Sequence, residues 1–384
     1  MLALTITRAL RLSIRVKPVS GPTPTLTPVS APRARRNHGR PTLRDVATAA
    51  GVTAITVSRY LRAPGQVAPA TAALVQAALS ATGYVPNKQA GMLASGQGSI
   101  VAALVPNLAQ SIFAETLQGL SERLEAGGLQ LLVASSGYSI AREEAQVRAL
   151  LGWAPRALIV TGRHHTRGTI TLLHEAQARG CRVVEMWDQH GGGAGPGAGF
   201  AQVGFNHRAA GRTMATHLLE AGHRHLAYVD SATTGDRRAR ERGDGFVAAA
   251  QAAGATVARV TAPDGEPITG GREVLSTLRA LAPRPSAVAF ANDHLACGAL
   301  LGAQAAGIAV PSTMALIGFG DFELATHVGP GLTTLAPPRR AIGERTAELL
   351  LEQIDAAAGV VRRVRLDCRL VVRGSSRPGA AGPN

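Results

Sequence analysis

Seven short apolar runs recur along the chain between positions 100 and 320, with helical segments between nearly all of them. Each run is six or seven residues long and is rich in valine, isoleucine, leucine and alanine. Buried apolar strands separated by helices are typical of parallel sheets that carry helices on both faces. We therefore predict an α/β core with strands at 100–106, 129–135, 157–162, 182–187, 225–230, 287–292 and 314–320.

This α/β pattern covers about 275 of the 384 residues, which exceeds one comfortable sheet. Two similar lobes with a cleft between them are the natural packing for such a segment. Clefts between lobes are where small ligands bind, so the core is predicted to bind one.

Positive charge is concentrated in the first quarter of the chain. Residues 1–96 hold twelve arginines and lysines against one acid, Asp45, and so carry +11 of the net charge of +15. The other 288 residues carry the remaining +4. This distribution indicates a polyanionic partner for the N-terminal part.

Both ends of the chain are expected to be disordered, over 1–40 and 377–384. The first of these segments holds eight basic residues, no acid and five prolines. No apolar run approaches the roughly 18 to 20 residues that a membrane-spanning helix needs. The three cysteines stand far apart without a CxxC pair, which argues against a disulfide scaffold and a cysteine zinc site. A cytoplasmic protein without membrane contact is the prediction.

Three short helices are expected over 41–86. Thr42 and Asp45 have the spacing of a capping box that begins the first helix, and Gly51 permits the turn that follows it. Thr53 can cap a second helix, and Pro69 suits the first turn of a third. The third helix is expected to bury apolar residues that include Ala73, Leu74, Ala77 and Ala78.

The first two helices and the turn between them meet the physical requirements of a helix-turn-helix that reads the major groove. Arg59 can donate to guanine O6 and N7, and Ile55 can meet a thymine methyl. The alternative is an ordinary three-helix domain whose arginines are merely solvated. The candidate DNA-contacting residues of this domain are Leu43, Arg44, Thr53, Ala54, Ile55, Thr56, Ser58, Arg59 and Arg62.

The stretch TLRDVATAAGVTAITVSRYL, followed by GYVPN, resembles the DNA-binding headpiece of the LacI/GalR family. The resemblance implies that 87–98 form a hinge helix and linker, ordered when two subunits meet on a near-palindromic operator. It also implies that Leu93 enters the minor groove beside Ala90, where an apolar wedge kinks the duplex; Lys88 would contact phosphate. Gly91 departs from the pattern and disfavours an isolated helix by about 1 kcal/mol. A plain linker is the alternative for this segment.

Residues 99–376 resemble the core of the same family, which is similar to periplasmic sugar-binding proteins. Within the family, the runs TGRHHT, ANDHLACGA and GFGDFE resemble the gluconate-utilisation repressor branch. The implied fold is an all-α headpiece joined to a two-lobed α/β core. The N-lobe is expected over about 99–203 and 333–362, and the C-lobe over about 204–332 and 363–376.

The resemblance also assigns candidate effector-binding residues. Arg242 matches the arginine that reaches effector hydroxyls or a carboxylate, a task that suits a guanidinium fork. Asn292 and Asp293 follow a predicted strand and face the cleft in the family pattern. Gly320 stands where sugar-binding members often have an aspartate, with Asp321 next to it, and the lost anion favours an acidic ligand such as gluconate.

Five more residues complete this candidate effector site. Arg163 and His165 could neutralise the carboxylate of a sugar acid. Ser111 and Phe113 would supply a hydroxyl and an apolar wall, and Trp187 would supply a stacking face. For every effector residue, ordinary packing or surface exposure is the alternative.

Other functional classes lack a motif. The histidine pairs have no third partner at a metal-ligand spacing, and no GxSxG, SxxK, HExxH or P-loop occurs. We therefore expect no metal, no cofactor and no enzymatic activity. A solute-binding protein or an α/β enzyme with a helical appendage is the alternative, although neither explains the basic helix-turn-helix. No leucine heptad follows Arg373, which favours a homodimer.

Overall fold

A computed structural model of the chain describes residues 41–86, 98–108, 111–189, 199–355 and 362–376. They divide into a helical unit before residue 88, the headpiece, and an α/β unit after it, the core. The predicted tails at 1–40 and 377–384 lie outside the described residues, and so does the predicted hinge except for its last residue.

The headpiece contains three helices: α1 (Leu43–Ala50), α2 (Ala54–Arg62) and α3 (Pro69–Thr82). The predicted capping box is confirmed, because the Thr42 hydroxyl accepts from the Asp45 backbone N–H and the Asp45 carboxylate accepts from the Thr42 backbone N–H. Gly51 ends α1 with a φ of 68°, a left-handed conformation that glycine adopts without strain. Thr53 caps α2 through the Thr56 N–H.

The headpiece core is small and consists of Val46, Ala47, Ala50, Val57, Val75 and Ala78. The predicted burial of Ala78 is confirmed, but Ala73 and Ala77 are exposed and Leu74 is 56% exposed. Helix α3 presents Val75 and Ala78 to the core, and these residues share one face at i and i+3. The apolar residues of α3 are not confined to one face, so its composition did not indicate which face is buried.

The first lobe of the core is built around a six-stranded sheet. Its elements are β1 (Ile100–Val105), α4 (Ala114–Ala126), β2 (Gln130–Ser135), α5 (Ile140–Leu151), β3 (Ala157–Thr161), α6 (Arg167–Ala178), β4 (Arg182–Met186), β5 (Ala201–Gly204), α12 (Arg339–Asp355) and β11 (Arg363–Arg365). The strand order is β11-β5-β4-β3-β1-β2, with every pair parallel.

The second lobe repeats this architecture. It contains α7 (His207–Glu220), β6 (His225–Asp230), α8 (Arg237–Ala252), β7 (Thr256–Thr261), α9 (Pro267–Ala280), β8 (Ala287–Phe290), α10 (Asp293–Ala305), β9 (Ala315–Phe319), α11 (Leu324–His327), β10 (Thr333–Ala336) and β12 (Arg369–Val371). The order is β12-β10-β9-β8-β6-β7, and the β10–β12 pair alone is antiparallel among the pairs of the described strands.

The structure moves two of the predicted lobe boundaries. Strand β10, expected in the N-lobe, belongs to the sheet of the second lobe, and β11, expected in the C-lobe, belongs to the sheet of the first. The chain therefore crosses between lobes at 205–206, 337–338 and 366–368, after each strand has completed its own sheet.

Aromatic rings join the two lobes near the first crossing. Phe113 contacts Trp187 edge to face with 5.2 Å between ring centroids, and Trp187 lies 6.0 Å from Phe205 in the crossing segment. Phe205 in turn lies 6.1 Å from Phe319 of the second lobe. Such contacts bury large apolar areas, so the lobes share one apolar core at their junction. Within the described residues, no helix has both the length and the apolar character to cross a membrane.

Candidate DNA-reading surface and ligand cleft

Helix α2 presents an exposed face with the chemistry expected of a DNA reader. Ile55, Arg59 and Arg62 occupy positions i, i+4 and i+7 on this helix and are exposed, Ile55 to 70%. The Thr53 and Thr56 hydroxyls are 2.9 Å apart, and Arg62 Nε donates to the Ser58 carbonyl at 3.3 Å. An apolar side chain followed along the same face by two guanidinium groups can contact both base edges and phosphates.

The other predicted DNA-contacting residues have different positions. Arg44 is exposed on α1. Leu43 and Ala54 are partly buried and pack against the headpiece core, so their first role is structural. The predicted hinge contacts, Lys88, Ala90 and Leu93, lie outside the described residues.

The carboxyl ends of β3 and β4 face the beginning of α8 across the cleft between the lobes of the core. The cavity between them measures about 40 Å³, against roughly 300 to 1,000 Å³ for typical ligand pockets. Its lining includes charged side chains from both lobes: Glu143, Arg163, His164, Asp188, Arg237 and Arg238.

A charged network joins the lobes across this cavity. Arg163 Nε donates to Asp188 Oδ1 at 3.2 Å, and its Nη2 donates to Glu241 Oε1 at 2.5 Å. His164 Nε2 lies 2.8 Å from the same Glu241 oxygen. Arg238 adds a bond from its Nη1 to the Thr161 carbonyl at 3.4 Å. Since Glu241 and Arg238 lie on α8 of the second lobe and their partners lie on the first, these bonds hold the lobes close together.

Asp188 is the most deeply buried member of this network. Its side chain is 1% exposed, and burial raises the pKa of its carboxyl to about 6 although Arg163 opposes the shift. Oδ1 accepts from Arg163 and from the Gln189 backbone N–H, whereas Oδ2 has no hydrogen-bond partner among the described residues. A buried acceptor of this kind favours a ligand that can donate to it.

The structure places His164, and not the predicted His165, at the cavity. His165, the predicted ligand contact, has a 1% exposed side chain, with Nδ1 2.6 Å from Glu143 and Nε2 3.5 Å from Glu185. Burial opposes a charge on the ring, but the hydrogen bond to Glu143 and the negative charges of both glutamates outweigh it and raise the pKa of His165 to about 9. His164 lines the cavity instead. The prediction for His165 is therefore corrected to a buried ion pair.

Arg242, predicted to bind the effector, lies on α8, and its side chain reaches the carboxyl end of β8. Its guanidinium group lies 3.7 Å from the ring centroid of Phe319, and its Nη2 donates to the Ala291 carbonyl at 2.7 Å. The side chain is 4% exposed, and its Nε has no hydrogen-bond partner among the described residues. Arg242 thus packs on Phe319 and keeps its Nε–H as a donor without a partner among the described residues.

His207 connects Arg242 to the first lobe. Burial and the neighbouring charge of Arg242 lower the pKa of His207 well below its ordinary value, so the ring is neutral at neutral pH. In the tautomer that fits, Nδ1 accepts from Arg242 Nη1 at 3.2 Å and Nε2 donates to the Trp187 carbonyl at 2.8 Å. Asn206, beside it, caps α7 through the Ala209 N–H. The structure thus gives both residues a clear structural task.

Three predicted effector residues at the strand ends have structural partners. Asn292 Oδ1 caps α10, accepting from Leu295 N–H at 3.0 Å. Asp293 is 1% exposed and joins the loop after β9 to β10, since it accepts from the Phe322 N–H and the Thr334 hydroxyl. Asp321 binds Arg373 at 2.7 Å. The predictions for Asp293 and Asp321 are corrected, because these carboxylates are already hydrogen-bonded within the second lobe.

The residues predicted to form the walls of the effector site are likewise mostly buried in the core. Trp187 is 2% exposed and its Nε1 donates to the Thr116 hydroxyl at 3.1 Å, so the expected open stacking face is buried. Phe113 is 3% exposed and has the Arg238 guanidinium 5.9 Å from its ring centroid, which places it beside the cleft. Ser111 begins a short 3-10 turn, and its side chain lies outside the described residues.

Sequence reasoning did not find Glu241 or Asp188. Together with His164 they form a group whose potential metal-ligating atoms lie within 4.8 Å of one another. The Arg163 guanidinium bonds both carboxylates and balances their charge, so we interpret the group as an ion-pair network. No sequence pattern indicated this ion-pair network, because His164 and Glu241 are 77 positions apart and meet only through the packing of two lobes.

A basic helix-turn-helix unit followed by a two-lobed, binding-protein-like core defines the class: a DNA-binding transcriptional regulator controlled by a ligand. Residues 42–87 match the model of the bacterial regulatory proteins of the lacI family, and residues 215–376 match a periplasmic binding protein-like domain. This chain belongs to the LacI family of bacterial transcriptional regulators.

Two curated relatives cover most of the chain. The HTH-type transcriptional regulator GntR of Pseudomonas aeruginosa is 39% identical over 334 residues, which is 86% of this chain and 94% of the relative. The regulator of the same name from Escherichia coli K12 is 34% identical and covers 82% of this chain and 92% of the relative.

Solved structures agree with this fold. A LacI family regulator from Silicibacter pomeroyi has a TM-score of 0.79 and 34% identity, covering 88% of this chain and 99% of that one. The lac repressor dimer bound to operator and the anti-inducer ONPF has a TM-score of 0.73 at 23% identity, covering 88% of this chain and 99% of that one, a likeness of fold alone.

Proposed function

We propose that this protein is a homodimeric repressor that binds a near-palindromic operator and releases it when a sugar acid such as gluconate enters the cleft. The observation that carries the ligand class is the pairing of Arg163 and His164 with one carboxylate oxygen, because these donors suit the carboxylate of an acidic ligand. The resemblance to the gluconate-utilisation branch points to the same ligand.

Helix α2 and the predicted hinge are proposed to contact the operator. Arg59 and Ile55 are proposed to contact base edges, while Arg44, Arg62 and Lys88 contact phosphates and make affinity depend on salt. Two headpieces on one dimer then read the two half-sites. Leu93 is proposed to enter the minor groove between the half-sites.

The proposed dimer face lies on the first lobe. Strand β2 lies at the edge of its sheet, and its Leu131 and Val133 remain partly exposed. They line a groove of about 350 Å³ together with Leu108, which is 57% exposed, and Leu117 of α4. An apolar groove beside an open sheet edge favours association, and a second copy of the chain is the proposed partner.

The ligand and the operator are proposed to shift the same conformational equilibrium of the dimer. A sugar acid in the cleft changes the angle between the lobes and so separates the two hinge segments. Coupling free energies of this kind are typically about 1 to 3 kcal/mol. The protein would thus act by binding rather than by catalysis, in the cytoplasm where the operator lies.

The test is retention of the full-length protein on duplex DNA from upstream of its own gene, titrated with and without gluconate at fixed salt. We expect sequence-specific binding that gluconate weakens. Arg59→Gln and Leu93→Ala should reduce operator affinity while gluconate affinity stays unchanged. Arg148→Gln, which removes an exposed arginine of α5 in the core, is the matched control and should leave operator affinity unchanged.

Each failure would point to a different part of the proposal. Specific binding that ignores gluconate would discard the sugar acid and keep the repressor. Normal operator binding by Leu93→Ala would discard the hinge mechanism. Absence of sequence-specific binding at every salt concentration would discard the operator function altogether.

A further inference from the structure

Glu241 places a carboxylate of the protein where the proposed ligand would place its own. The residue lies on α8 of the second lobe, and its Oε1 accepts from Arg163 Nη2 at 2.5 Å and pairs with His164 Nε2 at 2.8 Å, both on the first lobe. The side chain is 13% exposed. Burial opposes its charge, but the hydrogen bond from His164 and the charge of Arg163 outweigh burial and lower the pKa of Glu241. Glu241 is therefore an anion at neutral pH.

The cleft has no room for a ligand while this contact persists. Its cavity of about 40 Å³ has room for about one water molecule, whose share of the liquid is about 30 Å³, but not for a six-carbon acid. Glu241 also occupies Arg163 Nη2 and His164 Nε2, the two donors that a ligand carboxylate would need. A carboxylate ligand must therefore displace Glu241.

We infer that Glu241 is an internal competitor: it latches the lobes together and selects for ligands that carry both a carboxylate and a hydroxyl group. The inference rests on the proposed function and deepens it. The ligand carboxylate replaces Glu241 on Arg163 and His164. A neighbouring hydroxyl of the ligand then donates to Asp188 Oδ2, the buried acceptor that has no partner among the described residues.

Selectivity follows from the exchange of one anion for another. A polyhydroxy acid satisfies Asp188 and also returns a carboxylate to Arg163 and His164. A neutral polyol of the same length must also displace Glu241, but it leaves Arg163 and His164 without an anion. Leaving these buried donors without a charged partner costs affinity, so neutral polyols are rejected.

The matched control lies on the same helix. Asp244, three positions after Glu241, pairs with Arg208 at 3.0 Å and Arg259 at 2.7 Å, both within the second lobe. Asp244→Asn removes the same charge from α8 as Glu241→Gln removes, without touching the cleft. Any effect of net charge or of helix stability alone should appear in both variants.

The first experiment is calorimetric titration of the full-length protein with gluconate and with glucitol, its neutral polyol analogue, at neutral pH and fixed ionic strength. Loss of a charge-assisted contact that competes with the ligand should tighten gluconate binding by Glu241→Gln about tenfold. Glucitol affinity should also rise but stay below gluconate affinity, because glucitol leaves Arg163 and His164 without an anion. Asp244→Asn should match the wild type for both ligands. Equal gluconate affinity in the wild type and Glu241→Gln would overturn the competitor role, and equal affinity for gluconate and glucitol would overturn the selection for a carboxylate.

A second experiment needs no ligand and separates the latch from the proposed function. Amide hydrogen exchange over 161–164 and 237–241 should be faster in Glu241→Gln than in the wild type or Asp244→Asn. Unchanged exchange would overturn the latch, even if gluconate binds. If gluconate binds none of the three proteins while exchange is faster in Glu241→Gln, the latch stands and the sugar-acid assignment fails.

Discussion

His164 and His165 are neighbours in sequence, yet their side chains have opposite environments. The His164 ring faces the cleft and pairs with Glu241, while the His165 ring lies buried between Glu143 and Glu185. A sequence pattern that contains two histidines in a row cannot tell which one meets the ligand.

The buried ion pair of His165 predicts a pH dependence of stability. Its pKa is about 9 in the folded protein and about 6.5 in the unfolded chain, so the folded state holds its proton more tightly. The stabilisation is complete below about pH 6.5 and is lost as pH rises through 9. The difference corresponds to on the order of 3 kcal/mol in the free energy of unfolding.

This expectation is measurable by urea denaturation at pH 6, 7.5 and 9. The wild type should lose more stability than His165→Gln over this range, so the two curves converge as pH rises. His327→Gln, which removes a histidine 70% exposed on α11, is the control and should follow the wild type. Parallel curves for the wild type and His165→Gln would contradict the assigned ion pair.

At the scale of elements, helix α1 shows how local chemistry sets a boundary. The capping box of Thr42 and Asp45 satisfies backbone N–H groups that a free helix end leaves unpaired. These interactions join residues three positions apart, so the sequence alone located the start of the helix correctly.

We expect Thr42→Ala to destabilise α1 by about 1 kcal/mol, because the Asp45 N–H loses its acceptor. Hydrogen exchange of the α1 amides reports this loss directly. Thr48→Ala is the matched control, since its hydroxyl bonds only the Arg44 carbonyl within the helix, and alanine there should be neutral or slightly stabilising. Equal exchange rates in Thr42→Ala and the wild type would argue against a functional cap.

Apolar runs predicted most of the described strands. The seven apolar runs all contain strands of the two sheets, within one or two residues at each end. These include β2, an edge strand that is only half-buried. The other three edge strands carry no such run: β7 combines exposed and half-buried residues, and β11 and β12 are three residues long. Strand β10 is buried but begins with two threonines whose hydroxyls are hydrogen-bonded, so its composition hides its burial.

For the whole molecule, the approach of the lobes depends on a residue without a side chain. A Cβ atom on Gly235 of the second lobe would lie 1.9 Å from the Tyr138 carbonyl oxygen of the first lobe. The Gly235 backbone itself has no positive φ, so alanine would be strained only by this contact. Glycine at 235 therefore permits the closed cleft.

Gly235→Ala should keep the lobes apart without altering either fold. We expect faster amide exchange at 161–164 and tighter gluconate binding, both as in Glu241→Gln, because Glu241 cannot reach Arg163 and His164 across separated lobes. Gly152→Ala is the control: its φ is −61° and its Cβ would meet the Ala149 carbonyl at 3.1 Å, away from the cleft. Wild-type exchange and affinity in Gly235→Ala would show that the lobes need not approach this closely.

The sequence by itself determined the class of the protein, its α/β core, the helix boundaries of the headpiece and the concentration of positive charge before residue 97. These properties depend on periodicity, capping and composition, which are local. Only the tertiary structure decided that His164 rather than His165 faces the cleft, that Asp293 is committed to the loop after β9, and that Glu241 meets Arg163. Such contacts join residues up to 78 positions apart, as with Arg163 and Glu241, and arise from the packing of two separately built sheets. No local pattern records how one lobe faces the other, and the ligand chemistry of this protein depends on that arrangement.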